Sequence, residues 1–547
     1  MMSTVAEAAV GKLWRLPARR NRVKVERAVK VPMRDGVTLL ADHYIPVTDS
    51  PMPTILVRCP YGRGFPYSLM SAQLFASRGY HVLFQSTRGT YGSGGTFVPA
   101  VSEPADAQDT VAWLREQEWF DGRLATAGGS YLGYTQWALA MDPPPELTAM
   151  VVMVGVHDIS LAAYQQGPMD LYNALSWSDL LSHQETVSPA VGLIRTFLAE
   201  RRLAGALKRL PLRGTVDGLG GAGAPWYDDW VDHPDRTDSY WDSFRVTDAL
   251  HRVEVPTLLI GGWHDYFIQQ TLAQYDALRA RNVQVAVTIG PWTHLTVDNK
   301  IAMPQAISWL DEHAAGRAPV HRAAPVQVFV SGQWQNHQTW PPADMRTETW
   351  YLQSDNRLAG SVSTEESSGT GFRYDPENPT PSVGGRVMAL SGGAKDNRKL
   401  EARDDVVVFT TEPLAEAVEV HGEPVVELHV TSDNANADLF ARICDVDPSG
   451  RSVNVTDRIV RCTERDTVAG EVRTVRMTLD PTAHRFEPGH RIRLQISGGA
   501  FPRFARNLGT GENPGTGTAM KAASHVIQHD ATQPSRISLP RRLNRSR

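Results

Sequence analysis

The stretch Ala125–Ala140, "ATAGGSYLGYTQWALA", runs from an apolar segment through two glycines and a serine into a helix-like segment. A serine on a sharp strand-to-helix turn is the geometry of a nucleophile elbow, whose common form is G-x-S-x-G. Here Leu132 stands two residues after Ser130, and the glycine comes one residue later, at Gly133. The turn itself therefore leaves two readings open, a nucleophile or a tight turn without chemistry. The rest of the chain must supply a base, an orienting acid and donors for an oxyanion.

The flanking sequence alternates strand and helix. "VKVPMRDGVTLLADHYIP" (29–46) reads as a hairpin around Asp35-Gly36. "PTILVRCPYG" and "GYHVLFQSTRG" are continuous apolar runs, as expected of strands buried on both faces. "EPADAQDTVAWLREQ" has helical spacing with acids near its start. "LTAMVVMVGV" is a further buried strand. This alternation predicts an α/β fold with a mostly parallel sheet. It breaks between about Ser160 and Thr247, where helical pieces, a glycine-rich loop and "PWYDDWVDHPDRTDSYWDSF" form an insertion. It resumes at "VPTLLIGGW" and continues to "PQAISWLDEHAAG".

After Arg322 the pattern changes to short strands of period two separated by turns, among them "VQVFVSG", "VVELHVTSD" and "RIRLQISGG". This predicts a separate β-sandwich, read as a jelly roll. The expected division is an extension over 1–24, a catalytic unit over 25–159 and 248–322, a helical cap over 160–247 and the sandwich over 323–547. The loop "GSVSTEESSGTG" (360–371) is poor in apolar residues and is expected to be mobile.

Composition sets further bounds. The chain has 547 residues, too many for one core. It is 41% hydrophobic and 21% charged, as a folded chain should be. A formal net charge of -5 gives no general attraction to nucleic acid. The Arg-rich ends, "RLPARRNR" and "PRRLNRSR", read as solvated termini. The three cysteines, Cys59, Cys444 and Cys462, show no zinc spacing, and a Cys444–Cys462 disulfide stays open. No stretch approaches the roughly 20 apolar residues of a membrane span, and the N-terminal stretch has no sustained apolar run of the signal-peptide kind. The expectation is a cytoplasmic protein with no membrane partner, no metal and no cofactor. The large β domain offers surface for a homodimer.

The strand ends carry the chemistry. In an α/β-hydrolase sheet the triad follows the chain order Ser…Asp/Glu…His at successive strand ends. "LLIGGWHDYF" supplies Asp265 and "VAVTIGPWTHL" supplies His294, in that order after Ser130. His264 is a competing base, but neighbours on an extended stretch point apart, which puts His264 in the pocket wall. A serine needs such a base to attack at neutral pH. The oxyanion needs donors. One is the backbone N–H after the serine, that of Tyr131, and the other belongs to the loop after an early strand. That loop, "RCPYGRG", carries Tyr61, whose phenol stays protonated at neutral pH and can donate.

Together G-x-S-Y-x-G, the early Pro-Tyr, "GGWHD" and "GPWTH" resemble the cocaine-esterase and Xaa-Pro dipeptidyl-peptidase family, the CocE/NonD-type hydrolases. "TRGTYGSGG" (87–95), "VDHPDRTDSYWDS", "YDPENPTPSVGG" and "PGHRIRLQISGGAFPRFARN" extend the resemblance over about residues 25–540. It implies an α/β-hydrolase core, a helical cap, a C-terminal jelly roll, and Ser130, Asp265, His294, Tyr61 and Tyr131 as the machinery. It also implies that Trp177, Leu180 and Phe267 line an acyl pocket and that Phe501 closes one side. Relatives acting on α-amino esters hold the ammonium with carboxylates just after the triad acid. Here Tyr266, Phe267 and Ile268 follow Asp265, leaving Asp170 or Asp179 of the cap as the remaining clamp candidates. The expected substrate is a small ester, or an amide, with an apolar or aromatic acyl group, cleaved through an acyl-enzyme. The alternatives are an Xaa-Pro dipeptidyl-peptidase, an α-amino acid ester hydrolase or acylase, and a glycan- or polymer-binding protein with an idle core.

Overall fold

The computed structural model describes residues 2–165, 167–318, 321–364, 369–464 and 468–543. Among these, ten strands form one sheet. In spatial order they are Val23–Pro32, Thr38–Pro46, His81–Ser86, Thr54–Cys59, Leu124–Gly129, Leu147–Met153, Thr257–His264, Val285–Thr293, Val326–Val330 and Gln333–His337. The first three strands pair antiparallel, and the run from His81–Ser86 to Val326–Val330 is parallel. The central strands are buried along nearly their whole length, which is why they read as unbroken apolar runs rather than alternating ones.

The last two strands correct the expected boundary at 322. "VQVFV" alternates like a sandwich strand, yet it pairs in parallel with Val285–Thr293 and extends the catalytic sheet. Near a sheet edge one face is less covered, so a parallel strand can carry the alternation of an antiparallel one.

Between Leu147–Met153 and Thr257–His264 the chain leaves the sheet and forms the helices Ile159–Tyr164, Leu171–His183, Pro189–Phe197, Ala199–Leu207 and Pro225–Asp232. The neck of this insertion is tied. Asp158 caps the first helix by accepting from Ser160 N and Leu161 N, and it forms a β-bridge with Arg245 on the return. The C-terminal strands form two further sheets packed on a common apolar core that includes Leu352, Phe409, Leu428, Ile443 and Ile537. Cys444 pairs with Asn454 and Cys462 with Ala437, at opposite ends of one ladder. At about 3.3 Å per residue that separation is far beyond the reach of a disulfide.

The termini are not simply solvated. Helix Met2–Leu13 buries Glu7 completely, where it accepts from Ser77 Oγ (2.9 Å) and pairs with Arg78 and Arg19. Arg541 pairs with Glu348 and Glu416. A buried carboxylate needs such cationic partners, and the N-terminal arginine supplies one. Residues 365–368 of the loop expected to be mobile lie outside the described residues.

Five histidines are held neutral by the fold. His43 stacks on Trp119 at 3.9 Å and meets His81 Nδ1 at 2.9 Å. Burial, and then the neighbouring His81, push it down to about 3. Burial is also the main cause that pushes His157, His264, His337 and His525 down to about 4. In the unfolded chain such rings protonate at about pH 6.5. Between about pH 6.5 and 4 the unfolded chain therefore binds more protons, and stability falls as pH falls through that window. Asp170, which burial raises to about 8, and Glu103, Asp276 and Glu423, which burial also raises, act with the opposite sign, but they stand against these five histidines and against His81, His313 and His529, which burial lowers as well. Thermal unfolding followed by circular dichroism should show a clearly lower midpoint at about pH 5 than at about pH 7. An equal or higher midpoint at the acid end would contradict this.

Candidate active site

Ser130 sits between strand Leu124–Gly129 and helix Tyr131–Leu139 with φ 59° and ψ -124°. A side chain rarely adopts that backbone, and here it lifts the hydroxyl off the sheet. The glycines show why the sequence permits it. A Cβ on Gly128 would lie 2.5 Å from Leu132 Cβ, and one on Gly133 would lie 2.7 Å from Gly155 Cα. Gly133 is thus required where the helix crosses the next strand's end, which explains the glycine that comes one residue late.

His294 follows strand Val285–Thr293, and its Nε2 lies 2.9 Å from Ser130 Oγ. Its Nδ1 lies 2.8 Å from Asp265 Oδ1. Asp265, just past strand Thr257–His264, is fully buried. Its other oxygen has no hydrogen-bond partner among the described residues. The imidazole N–H is thereby a main contact of a carboxylate shielded from water. In this arrangement Nδ1–H donates to Asp265 and Nε2 accepts from the serine hydroxyl, as a general base requires.

Tyr61 lies in the loop after strand Thr54–Cys59. Its hydroxyl meets the Ser130 side chain and accepts the indole N–H of Trp177 at 3.1 Å. Burial raises Tyr61 well above the ordinary phenol range, with the Trp177 bond pulling the other way, so the group stays a donor. Tyr131 opens its helix and carries one of the N–H groups that helix geometry leaves unpaired. Its own hydroxyl donates to Glu103 (3.0 Å) and accepts from Ala100 N (2.8 Å), and Glu103 is paired with buried Arg58. These contacts fix the Tyr131 side chain.

Beside Ser130 lies a cavity lined by Tyr61, Tyr131, Trp177, Phe267 and Tyr266, with Trp230, Met388, Asn173 and small aliphatic residues completing it. None of the lining residues is charged. Phe267 stands edge-on to the His294 ring at 5.2 Å.

Three expected lining residues fall elsewhere. Leu180 is a turn beyond Trp177 on helix Leu171–His183 and lines a neighbouring cavity with Asp179, Arg195 and Leu295. His264 is not among the residues lining the cavity; it is buried within electrostatic reach of charged groups of the C-terminal domain, Arg386 foremost. Phe501 is absent from the cavity wall and packs under the Arg506 guanidinium at 4.8 Å, whereas Met388, whose N donates to Asn173 Oδ1 at 2.8 Å, lines the cavity from the C-terminal domain. Neither cap carboxyl is free to clamp an ammonium. Asp179 is held by Arg195 and Arg202, and buried Asp170, raised to about 8, accepts from Asn173. Tyr266, Asn173 and Trp230 escaped sequence reading, although the Trp-rich stretch of the insertion was a signal for the last.

Residues 35–296 match the family model described as X-Pro dipeptidyl-peptidase (S15 family), and residues 318–538 match the X-Pro dipeptidyl-peptidase C-terminal non-catalytic domain. The chain is 34% identical to the cocaine esterase of Rhodococcus sp. (strain MB1 Bresler), over 94% of this chain and 97% of that protein. An aminopeptidase from a marine sediment Thaumarchaeota archaeon superposes with a TM-score of 0.81 at 23% identity, over 96% of this chain and 97% of the other. An α-amino acid ester hydrolase superposes with a TM-score of 0.80 at 23% identity, over 96% and 98%. The two superpositions show the fold, an α/β-hydrolase core followed by a β-sandwich. With the match to both family models and full-length similarity to an esterase, the chain belongs to the X-Pro dipeptidyl-peptidase (S15) family, the family of the CocE/NonD hydrolases.

Proposed function

We propose that this chain, a serine ester hydrolase by family, acts on esters whose acyl group is apolar or aromatic. The carrying observation is the uncharged, aromatic lining of the cavity beside Ser130. In this reading Ser130 Oγ attacks the ester carbonyl carbon while His294 Nε2 takes the hydroxyl proton. Asp265 stabilises the resulting imidazolium, and the Tyr61 hydroxyl and Tyr131 N–H hold the oxyanion. His294 then returns the proton to the leaving alcohol, and water repeats the sequence to release the acid. Binding of the acyl group buries it against Trp177, Phe267 and Trp230, at a gain of about 25 cal/mol per Å² of apolar surface covered.

An α-amino ester or an Xaa-Pro amide brings an ammonium. Placing it in this cavity would cost desolvation with no carboxylate to offset it. A panel of 4-nitrophenyl benzoate, 4-nitrophenyl butyrate, an α-amino acid ester and an Xaa-Pro anilide tests the reading. The benzoate should exceed both ammonium-bearing substrates in kcat/KM by at least about tenfold. Preference for the Xaa-Pro anilide would reject it in favour of a dipeptidyl-peptidase.

The same proposal extends to the surroundings. The two-sheet C-terminal domain is read as a jelly roll, and its surface as the place where two copies would meet, which sedimentation equilibrium would register as twice the chain mass. A cytoplasmic location is supported by three cysteines of which Cys444 and Cys462 lie at opposite ends of a ladder.

A further inference from the structure

We propose that Trp177 is a positioning residue that assembles the oxyanion hole from the cap side, setting the Tyr61 hydroxyl through its N–H and seating Tyr131 through its ring. This rests on the reading of Tyr61 as an oxyanion donor and goes beyond Trp177's place as a wall of the acyl cavity.

An indole N–H can only donate, whereas a phenol has one proton and can also accept. The 3.1 Å contact between Trp177 Nε1 and Tyr61 Oη is therefore a bond in which Tyr61 accepts. Its single proton must then point elsewhere. The Tyr61 hydroxyl also interacts with the Ser130 side chain, whose attack on the carbonyl creates the oxyanion. A phenol without this bond could turn its proton toward any acceptor in reach. Accepting from the indole also polarises the O–H and makes it a stronger donor.

The ring does a second task. It lies 6.0 Å from the Tyr131 ring with 25° between the planes, and 5.9 Å from Trp230 with 4° between them. Tyr131 is anchored on its far side by Glu103 and Ala100. One indole thus touches both residues that supply oxyanion donors. Trp177 sits on helix Leu171–His183 of the insertion, and just past the end of that helix Gln184 Nε2 donates to Pro60 O at 2.9 Å. The insertion grips the Tyr61 loop at two points. On this geometry the hole is complete only with that helix in place.

A bond that orients a donor for the transition state should appear in kcat, whereas loss of a cavity wall should appear in KM. The cleanest variant replaces Trp177 with benzothienylalanine by amber suppression, which exchanges the N–H for sulfur and keeps the ring. With 4-nitrophenyl benzoate, kcat should fall roughly 5- to 10-fold while KM stays within about twofold. In the Tyr61→Phe background the same exchange should change kcat by less than about twofold, because the acceptor is gone. Trp177→Phe is the encodable counterpart. It should show the same kcat loss with an added rise in KM, and a melting curve checks that it folds. Unchanged kcat with the benzothienyl residue, or an equal loss in both backgrounds, would overturn the proposal and leave Trp177 as packing. Should Tyr61→Phe alone keep kcat within about threefold, the oxyanion reading fails first, an outcome distinct from a failed coupling.

Discussion

Ser130→Ala should lower kcat for 4-nitrophenyl benzoate by at least about 10⁴-fold while KM and the melting midpoint change little. The size follows from the mechanism, because without Oγ no acyl-enzyme forms and only the oxyanion donors remain to act on a direct attack by water. The unchanged midpoint follows from the site. The serine hydroxyl bonds to a histidine at the edge of a cavity, and its removal leaves His294 still held by Asp265 at 2.8 Å. Relief of the unusual backbone at residue 130 is not expected either, since alanine meets the same positive φ with its own Cβ. A variant that keeps a tenth of the activity would remove Ser130 from the mechanism.

Tyr61→Phe should lower kcat by about 10²–10³-fold, the range for losing one oxyanion donor in a site shielded from water. The ring would stay, still stacked on Tyr67 at 5.7 Å. On the proposed mechanism what disappears is one O–H directed at the developing charge, and the Trp177 N–H loses its acceptor as well. A buried donor left without a partner costs stability of about 1–3 kcal/mol, so a modest drop in melting midpoint should accompany the rate loss. The loss should fall on kcat rather than KM, because the ground-state carbonyl gains less from the donor than the oxyanion does. A rate within about threefold of wild type would make Tyr61 a packing residue.

Much of this was legible in the chain because the governing constraints are local. A strand that ends in Gly-Gly-Ser and restarts as a helix leaves few geometries open. The two later strand ends then placed His294 within hydrogen-bond reach of the serine and Asp265 within reach of His294. Gly133 looked like a displaced motif, and the close approach to Gly155 gives its reason. That contact is between a helix and a distant loop, so no local pattern announces it.

What escaped reading was set by tertiary placement. Leu180 shares a helix with Trp177 but falls past the serine's reach. His264 neighbours Asp265 in sequence but is buried within electrostatic reach of charged groups of the C-terminal domain. Met388 reaches the cavity from that domain through a bond to Asn173, and its own surroundings in the sequence carry no sign of it. Val326–Val330 alternates as a sandwich strand would, and only its pairing shows which sheet it joins. In each case the side-chain pattern fixed the element, while the partner fixed the role.

The most direct test of the central claim is covalent. After reaction with a fluorophosphonate, intact mass and peptide mapping should show one adduct per chain, on the peptide carrying Ser130, and none on the Ser130→Ala protein. Equal labelling of both proteins, or an adduct on another residue, would contradict the assignment of Ser130 as the nucleophile.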